Sequence, residues 1–429
     1  MKKNLYINSI YLVFLGAITS LSLHPFNYFI INFFSFTLFF IFLFKRLNSY
    51  KNSSFFIYGW LFGFGYFGTN LYWISFSLTF DQNFKSLIPI TIILIPSFLA
   101  LFYGLMTYIF AFQNKIKVIN SFLIFSLLFG IVEFVRGSIL TGFPWNLIAY
   151  SFSNQLELLS ITSVIGTYGF NLFCISLFTC PAVLFLERKK NGIIICSFFI
   201  FITILFLIFG TFYKNKFNDS EKKTYSYNLR VLGSNISIDR FYSNVNSVLV
   251  IEELIKISNP NKNEKTIFIW PEGILPEISQ KELKEYSWLF NEKFSEKHLI
   301  IIGINSEQTK NETKKYFNSL SIYDNQLNLL NYYNKINLVP FGEFLPFEKI
   351  LNLVGLRSLT NNYQSFSAGK ERNIIELKQK NFLLKILPLI CYEIIYSGKL
   401  FKDYKFDLIV NISEDGWFGK SIGPKQHFV

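Results

Sequence analysis

Seven long apolar segments fill the first half of the sequence, and they limit what this chain can fold into more than any other feature. They run over Leu5–Leu23, Phe26–Phe44, Phe55–Phe80, Leu87–Phe112, Phe122–Val135, Leu158–Leu186 and Gly192–Phe212. The hydrocarbon core of a bilayer is about 30 Å thick and a helix rises about 1.5 Å per residue, so about 20 apolar residues cross it. Most of the seven reach that length. Phe122–Val135 is short unless it continues past Arg136 to Leu140, and the first two segments fit tilted helices or a tight hairpin at His24-Pro25. A cleaved secretory signal is a poor reading of the start, because no small-residue cleavage site follows and hydrophobicity resumes at once.

Charge divides at the same place. Up to Tyr213 there are 12 Lys and Arg against 4 Asp and Glu; from Lys214 onward there are 29 against 24, the mixture of a water-exposed domain. Neither half holds a basic block suited to nucleic acid. With the N-terminus inside, the inside connections hold Lys2, Lys3, Lys45, Arg46, Lys51, Lys115, Lys117, Arg188, Lys189 and Lys190, and the opposite ones only Lys85 and Arg136. Cations in short loops stay on the cytoplasmic side. Seven crossings then leave everything after Phe212 outside. The sequence thus predicts a transmembrane domain of about seven helices over residues 1–213 and an extracytoplasmic domain over 214–429.

Cys174, Cys180 and Cys196 lie in apolar segments, which leaves Cys391 alone in the outer domain, unable to form a disulfide within it. Most such cysteines are small buried hydrophobes. The surroundings of Cys391 argue otherwise. From Asn228 short apolar runs alternate with helical stretches: Asn228–Ile236, Thr266–Trp270, Leu299–Gly303, Ser319–Tyr323, Leu327–Tyr333, Phe382–Ile390 and Phe406–Ile412 read as strands, Tyr242–Ser258 and Gln280–His298 as helices. That order predicts a layered α/β domain. Three strand ends carry reactive types. Thr266–Trp270 runs into Pro271-Glu272, Leu327–Tyr333 leads to Lys335, and Phe382–Ile390 ends at Cys391. Reactive groups collect at the carboxyl ends of strands in open α/β sheets. A thiol is mostly protonated at neutral pH, so a neighbouring carboxylate must take its proton, and a lysine beside both can stabilise thiolate and oxyanion. The three histidines, His24, His298 and His427, offer neither a Cys/His pair nor zinc spacing, so no metal or other cofactor is expected.

Trp270-Pro271-Glu272, Lys335 with Leu338-Val339-Pro340-Phe341-Gly342-Glu343-Phe344, and Ile390-Cys391-Tyr392-Glu393 together resemble the nitrilase or carbon–nitrogen hydrolase superfamily. With seven apolar segments in front, the pattern is similar to the apolipoprotein N-acyltransferase family in particular. Gly63–Phe67 with Tyr72-Trp73, Glu133–Arg136 with Gly142–Asn146, and Asp415–Gly419 through Gly423-Pro424 to Gln426-His427-Phe428 resemble that family's further motifs. The resemblance spans nearly the whole chain. It implies a multi-pass α-helical membrane domain followed by an α/β nitrilase-like domain, an αββα sandwich, in the inner membrane of a bacterium with the catalytic part on the periplasmic side.

The activity implied is transfer of a fatty acyl chain from a membrane phospholipid, through a cysteine thioester, to the α-amino group of a diacylglyceryl-cysteine at an apolipoprotein N-terminus. By position Cys391 would be the nucleophile, Glu272 the general base and Lys335 the cation at the oxyanion. Glu343 would orient Lys335 or assist proton transfer; Tyr392 and Glu393 would shape the pocket, and the Tyr392 N–H would join the oxyanion hole. The apolar stretch Phe341–Leu359 predicts a lid on the bilayer, with Phe341, Phe344 and Leu345 against acyl chains; an ordinary core helix at Glu348–Leu356 competes with it. Glu133 and Arg136, three apart on a helix, predict a structural ion pair.

Three features depart from the family pattern. The family continues past the Gln-His-Phe motif with closing strands and a last membrane helix, so a C-terminally incomplete sandwich is expected. Glu414 stands where the family commonly shows Asn, and no tryptophan occurs near Asp239–Tyr242. A membrane-anchored amidase releasing the acyl group to water needs the same three residues. A transporter or receptor is disfavoured by the scarcity of ionisable groups in the apolar segments.

Overall fold

The computed structural model describes residues 2–113, 117–187, 189–220, 225–241, 245–310, 313–346, 365–400 and 405–428. The chain forms two compact units, Met1–Glu221 with Phe418–Val429, and Lys222–Trp417.

The first unit is helical: α1 (Lys2–Thr19), α2 (Ile30–Phe44), α3 (Asn52–Leu71), α4 (Ile88–Phe110), α5 (Val118–Arg136), α6 (Leu156–Leu159), α7 (Thr162–Thr179), α8 (Pro181–Leu186) and α9 (Lys189–Asp219). Among the described residues, four helical stretches are long and apolar enough to cross a membrane: Gln82–Phe110, Val118–Arg136, Thr162–Leu186 and Lys190–Asp219. The fifth apolar segment gains its length on the N-terminal side, from Val118, and stops at Arg136 rather than reaching Leu140. The third is α-helical only to Leu71 and continues as a tighter 3-10 stretch, Tyr72–Thr79. There the hydroxyls of Ser75, Ser77 and Thr79 return to the carbonyls three residues back, local bonds that compete with an α-helix. The sixth is broken at Gly166, whose φ is +73°.

Close helix approach holds this unit together. A Cβ on Gly16 would strike the Phe62 carbonyl and one on Gly65 the Val13 carbonyl, so α1 and α3 meet backbone to backbone. Phenylalanines fill what remains; the rings of Phe39 and Phe62 stack 4.1 Å apart. Among the described residues of this unit one ion pair is fully buried: Arg136 donates to both oxygens of Glu133, at 3.2 and 2.6 Å, and to the carbonyls of Phe143 and Trp145 at 2.6 and 2.9 Å. The pair thereby pins the loop that follows α5. Tyr66 adds a bond to the Asn146 carbonyl at 2.8 Å.

The second unit contains α10 (Ser247–Ser258), α11 (Ser287–Asn291) and eight strands: β1 (Asn228–Val231), β2 (Thr266–Ile269), β3 (His298–Lys310), β4 (Thr313–Tyr323), β5 (Leu329–Asn334), β6 (Ile375–Gln379), β7 (Phe382–Ile390) and β8 (Leu408–Ile412). The strands form a five-stranded sheet in the order β1-β2-β3-β4-β5 and a three-stranded one in the order β6-β7-β8. β1, β2 and β3 run parallel, β3, β4 and β5 antiparallel. In the smaller sheet β7 pairs antiparallel with β6 and parallel with β8.

Alternation along the strands builds two cores. Ile267, Ile269, Leu299 and Ile301 face Ile386, Ile390, Val410 and Ile412 of the other sheet. Phe268, Trp270, Ile300 and Ile302 pack instead on Val250, Ile251 and Leu254 of α10 and on Phe290 and Phe294. Each such side chain, fully buried, contributes about 1.5–3 kcal/mol. The helix expected over Gln280–His298 is only a 3-10 turn, Glu282–Tyr286, followed by α11. His298 is drawn into β3, where its Nε2 donates to the Asn261 carbonyl at 2.9 Å and its ring meets Phe268 edge-on. Tertiary partners win over local periodicity here.

Candidate active site

Glu272 arrives at the end of β2. Beyond Ile269 the chain stays beside β3, with Trp270 N–H on the Ile301 carbonyl at 2.8 Å and Gly303 N–H on the Pro271 carbonyl at 3.2 Å. A Cβ on Gly303 would collide with the Glu272 Cα, so only glycine lets the carboxylate's backbone lie this close to the sheet. Lys335 extends β5 by one residue, its N–H bonded to the Asn318 carbonyl of β4 at 2.9 Å. Cys391 follows β7 and opens a 3-10 turn, Cys391–Ile395. Its φ is +56°, a left-handed conformation that a side chain resists.

The three strand ends predicted to carry the chemistry converge. Lys335 is 1% exposed. Its ammonium donates to Glu272 Oε1 at 3.3 Å and to Glu343 Oε1 at 3.0 Å. Asn318 Nδ2 donates to the same two oxygens, at 2.6 Å each. The second oxygen of Glu272 accepts the Glu414 N–H at 3.2 Å, and that of Glu343 the Val339 N–H at 2.8 Å. Both carboxylates are therefore held at two points. The two negative charges overcome the desolvation of Lys335 and keep its ammonium well above the usual lysine range. Lost hydration pushes the Cys391 thiol up, the Glu272 carboxylate pushes it further, and the Lys335 ammonium and the Ser413 hydroxyl pull the other way. The resting sulfur thus keeps its proton, beside a carboxylate that can take it.

Glu393 shapes this corner without joining it. It is wholly buried and accepts from Tyr333 Oη at 2.9 and 3.0 Å, from Ile336, Asn337 and Ile390 N–H at 2.9, 3.1 and 3.0 Å, and from Arg372 at 2.8 Å. One carboxylate so ties the end of β5 to the turn that carries Cys391. Tyr392 is buried, donates to the Leu338 carbonyl at 2.8 Å, and places its ring 5.6 Å from the Lys335 ammonium. The Cys391 carbonyl accepts from Asn411 of β8 at 3.1 Å.

Two sequence profiles match the chain: the apolipoprotein N-acyltransferase N-terminal domain over residues 15–180 and carbon-nitrogen hydrolase over residues 263–429. The chain is thus similar to the apolipoprotein N-acyltransferase family across most of its length. Relatives so named are similar over most of their length. One from Allorhizobium ampelinum is 28% identical, across 96% of this chain and 79% of its own. One from Rhodopseudomonas palustris is 29% identical, across 96% and 78%. One from Brucella melitensis is 28% identical, across 86% and 70%.

Not every residue implied by that family's pattern lies open. Phe341 is exposed, at φ +65°, and Phe344 partly so, whereas Leu345 is buried; Phe341 N–H closes the turn on the Phe344 carbonyl at 2.7 Å. The rest of the expected lid, from residue 347, and the competing helix Glu348–Leu356 lie outside the described residues. Glu133 and Arg136 form the expected structural pair. Sequence reasoning missed Asn318, Gly303, Asn411 and Ser413. Only Asn318 offered a signal, a polar residue inside a β-run whose neighbours Leu320 and Ile322 are core.

From Phe418 onward the late motif packs within the helical unit. Gln426, on the terminal helix α12 (Gly423–Phe428), accepts the indole N–H of both Trp73 and Trp145 at 3.2 Å and donates to Asn70 at 3.4 Å. His427 stacks on Trp145 with ring centres 5.5 Å apart, and Phe418 meets Trp73 at 4.6 Å.

Proposed function

We propose that this membrane protein transfers a fatty acyl chain from a phospholipid to the N-terminal amine of diacylglyceryl apolipoproteins, with Cys391 as nucleophile, Glu272 as base and Lys335 at the oxyanion. The observation that carries the reading is the single ammonium held between two carboxylates, 3.3 and 3.0 Å away, beside a thiol on a left-handed turn.

In the first half-reaction Glu272 takes the thiol proton and the Cys391 sulfur attacks the ester carbonyl. The oxyanion is met by the Lys335 ammonium and by the Tyr392 N–H, which as one of the first of a helical turn has no partner within it. Collapse expels the lysophospholipid alkoxide, and Glu272 returns the proton to it. In the second half the α-amine attacks the thioester, Glu272 takes its proton, and the sulfur leaves as thiolate and recovers the proton from Glu272. Glu343 fixes the ammonium, and Asn318 bridges the two carboxylates. Acyl chains would lie against Phe341, Phe344 and Leu345. The excess of cations in one set of loops supports a periplasmic catalytic unit in the bacterial inner membrane.

Intact-mass analysis of detergent-solubilised protein incubated with phospholipid tests this. Wild type gains a fatty-acyl increment, Cys391→Ala does not, and a diacylated lipopeptide with a free amine discharges the adduct. Discharge by water at the same rate without the lipopeptide would replace the transferase by an amidase. No increment on wild type would remove the thioester altogether.

A further inference from the structure

The two places where the site departs from its family pattern, Glu414 in place of Asn and Arg240 in the stretch lacking a tryptophan, are partners. Arg240 is 2% exposed and pairs through Nη2 with Glu414 Oε2. Its Nη1 donates to the carbonyls of Ile236 and Ser237 at 3.1 and 3.0 Å, and its Nε finds no hydrogen-bond partner among the described residues. Glu414 Oε1 accepts the Gly416 N–H at 2.9 Å. Its side chain is thus fixed at both oxygens, and the backbone of the same residue donates to Glu272 Oε2.

From this we infer that the Arg240–Glu414 pair is a positioning device for Glu272, one that lets a charged residue do what a neutral amide does at this place elsewhere in the family. The inference rests on Glu272 being the base. A carboxylate at 414 without a counter-charge would add a negative group on the residue whose N–H holds Glu272, next to a cluster in which Glu272 and Glu343 share the Lys335 ammonium. It would swing towards water and take its N–H off Glu272. Arg240 removes that drive. Conversely, Arg240 without Glu414 is a buried guanidinium with one carboxylate too few, a state strongly disfavoured in low dielectric. Each residue is therefore needed because the other is there.

The signature is compensation. At saturating phospholipid, the single-turnover rate of thioester formation per folded molecule should fall about 10- to 100-fold in Arg240→Met, the scale of one lost hydrogen bond to a charged group. Half-saturation for phospholipid should stay unchanged. Glu414→Gln alone should lose rate similarly. The double variant should regain wild-type rate to within about fivefold, since neither charge remains and Gln still accepts from Gly416. Arg240→Lys, which keeps the charge but loses the fork, should fall between wild type and Arg240→Met.

Full activity in Arg240→Met, or losses that multiply in the double variant, would overturn the pairing. So would a double variant whose loss is only of folded protein, with the rate per folded molecule unchanged in every variant. Should the single variants not fold, the double variant and Arg240→Lys decide between these outcomes. A wild type that forms no thioester would sink the reading of Glu272 itself.

Discussion

Each unit of this protein buries an arginine or lysine against glutamate, and the two clusters are built to opposite ends. In the helical unit Glu133 and Arg136 carry one charge each, both fully buried, and the guanidinium spends its remaining donors on the carbonyls of Phe143 and Trp145. The pair is neutral and closed. In the α/β unit one ammonium serves two carboxylates, with a thiol beside them, and each carboxylate's second oxygen is held by a backbone N–H. That cluster carries an excess negative charge and a proton with somewhere to go. Buried ions of the first kind fix a loop; those of the second are poised to exchange protons.

Four substitutions can break or sharpen that contrast. The largest effect is expected at Lys335→Met, which leaves Glu272 and Glu343 facing each other without a cation. Thioester formation should drop by about a thousandfold, the scale of lost oxyanion stabilisation, measured as acyl-enzyme per minute by mass spectrometry. Arg136→Met should instead strike the fold: opening a buried pair costs about 3–5 kcal/mol, read as a lower midpoint in detergent thermal unfolding, with acylation per folded molecule unchanged. Were the two variants to show the same phenotype, the division into a structural and a reactive cluster would be wrong.

A third test uses sign rather than size. Glu272 disfavours the Cys391 thiolate, so Glu272→Gln removes a negative charge and should lower the thiol pKa. The pH midpoint for iodoacetamide labelling of Cys391 should move down, and labelling at a fixed pH of about 8 should quicken severalfold, while thioester formation is lost. A midpoint that moves up would contradict the electrostatics of the site. Asn318→Ala should be the mildest, slowing acylation about tenfold by removing a bond to each carboxylate; an unchanged rate would make Asn318 a packing residue.

Much of the site could be read from sequence because strands end abruptly. Trp-Pro after β2, Lys335 directly after β5 and Cys391 directly after β7 put Glu272, Lys335 and Cys391 at the edge of an apolar run, where periodicity itself marks them. Asn318 lies inside β4, where a polar residue has no such marker, and its role depends on the pairing that sets Lys335 beside it. Gly303 was equally hidden: its meaning lies in the Glu272 backbone, 31 positions upstream, just past the end of the neighbouring strand β2. The apolar segments were legible in place but not at their ends, and among the described residues four helical stretches, not seven, are long and apolar enough to cross a membrane. Hydrophobicity does not distinguish an α-helix from the 3-10 stretch Tyr72–Thr79, whose hydroxyls decide it. β6 was missed because Ile375–Gln379 alternates only two buried residues with three exposed ones, too short a pattern to stand out.

The left-handed turn at Cys391 has an evolutionary consequence. A side chain there costs about 1 kcal/mol or more that glycine would not, so chemistry and durability pull in opposite directions at one codon. Glycine or asparagine at 391 would relax the turn and remove the proposed nucleophile together. A library of variants sorted for heat resistance alone should therefore drift towards inert proteins at this position, and only a screen coupled to acyl transfer would hold the cysteine in place.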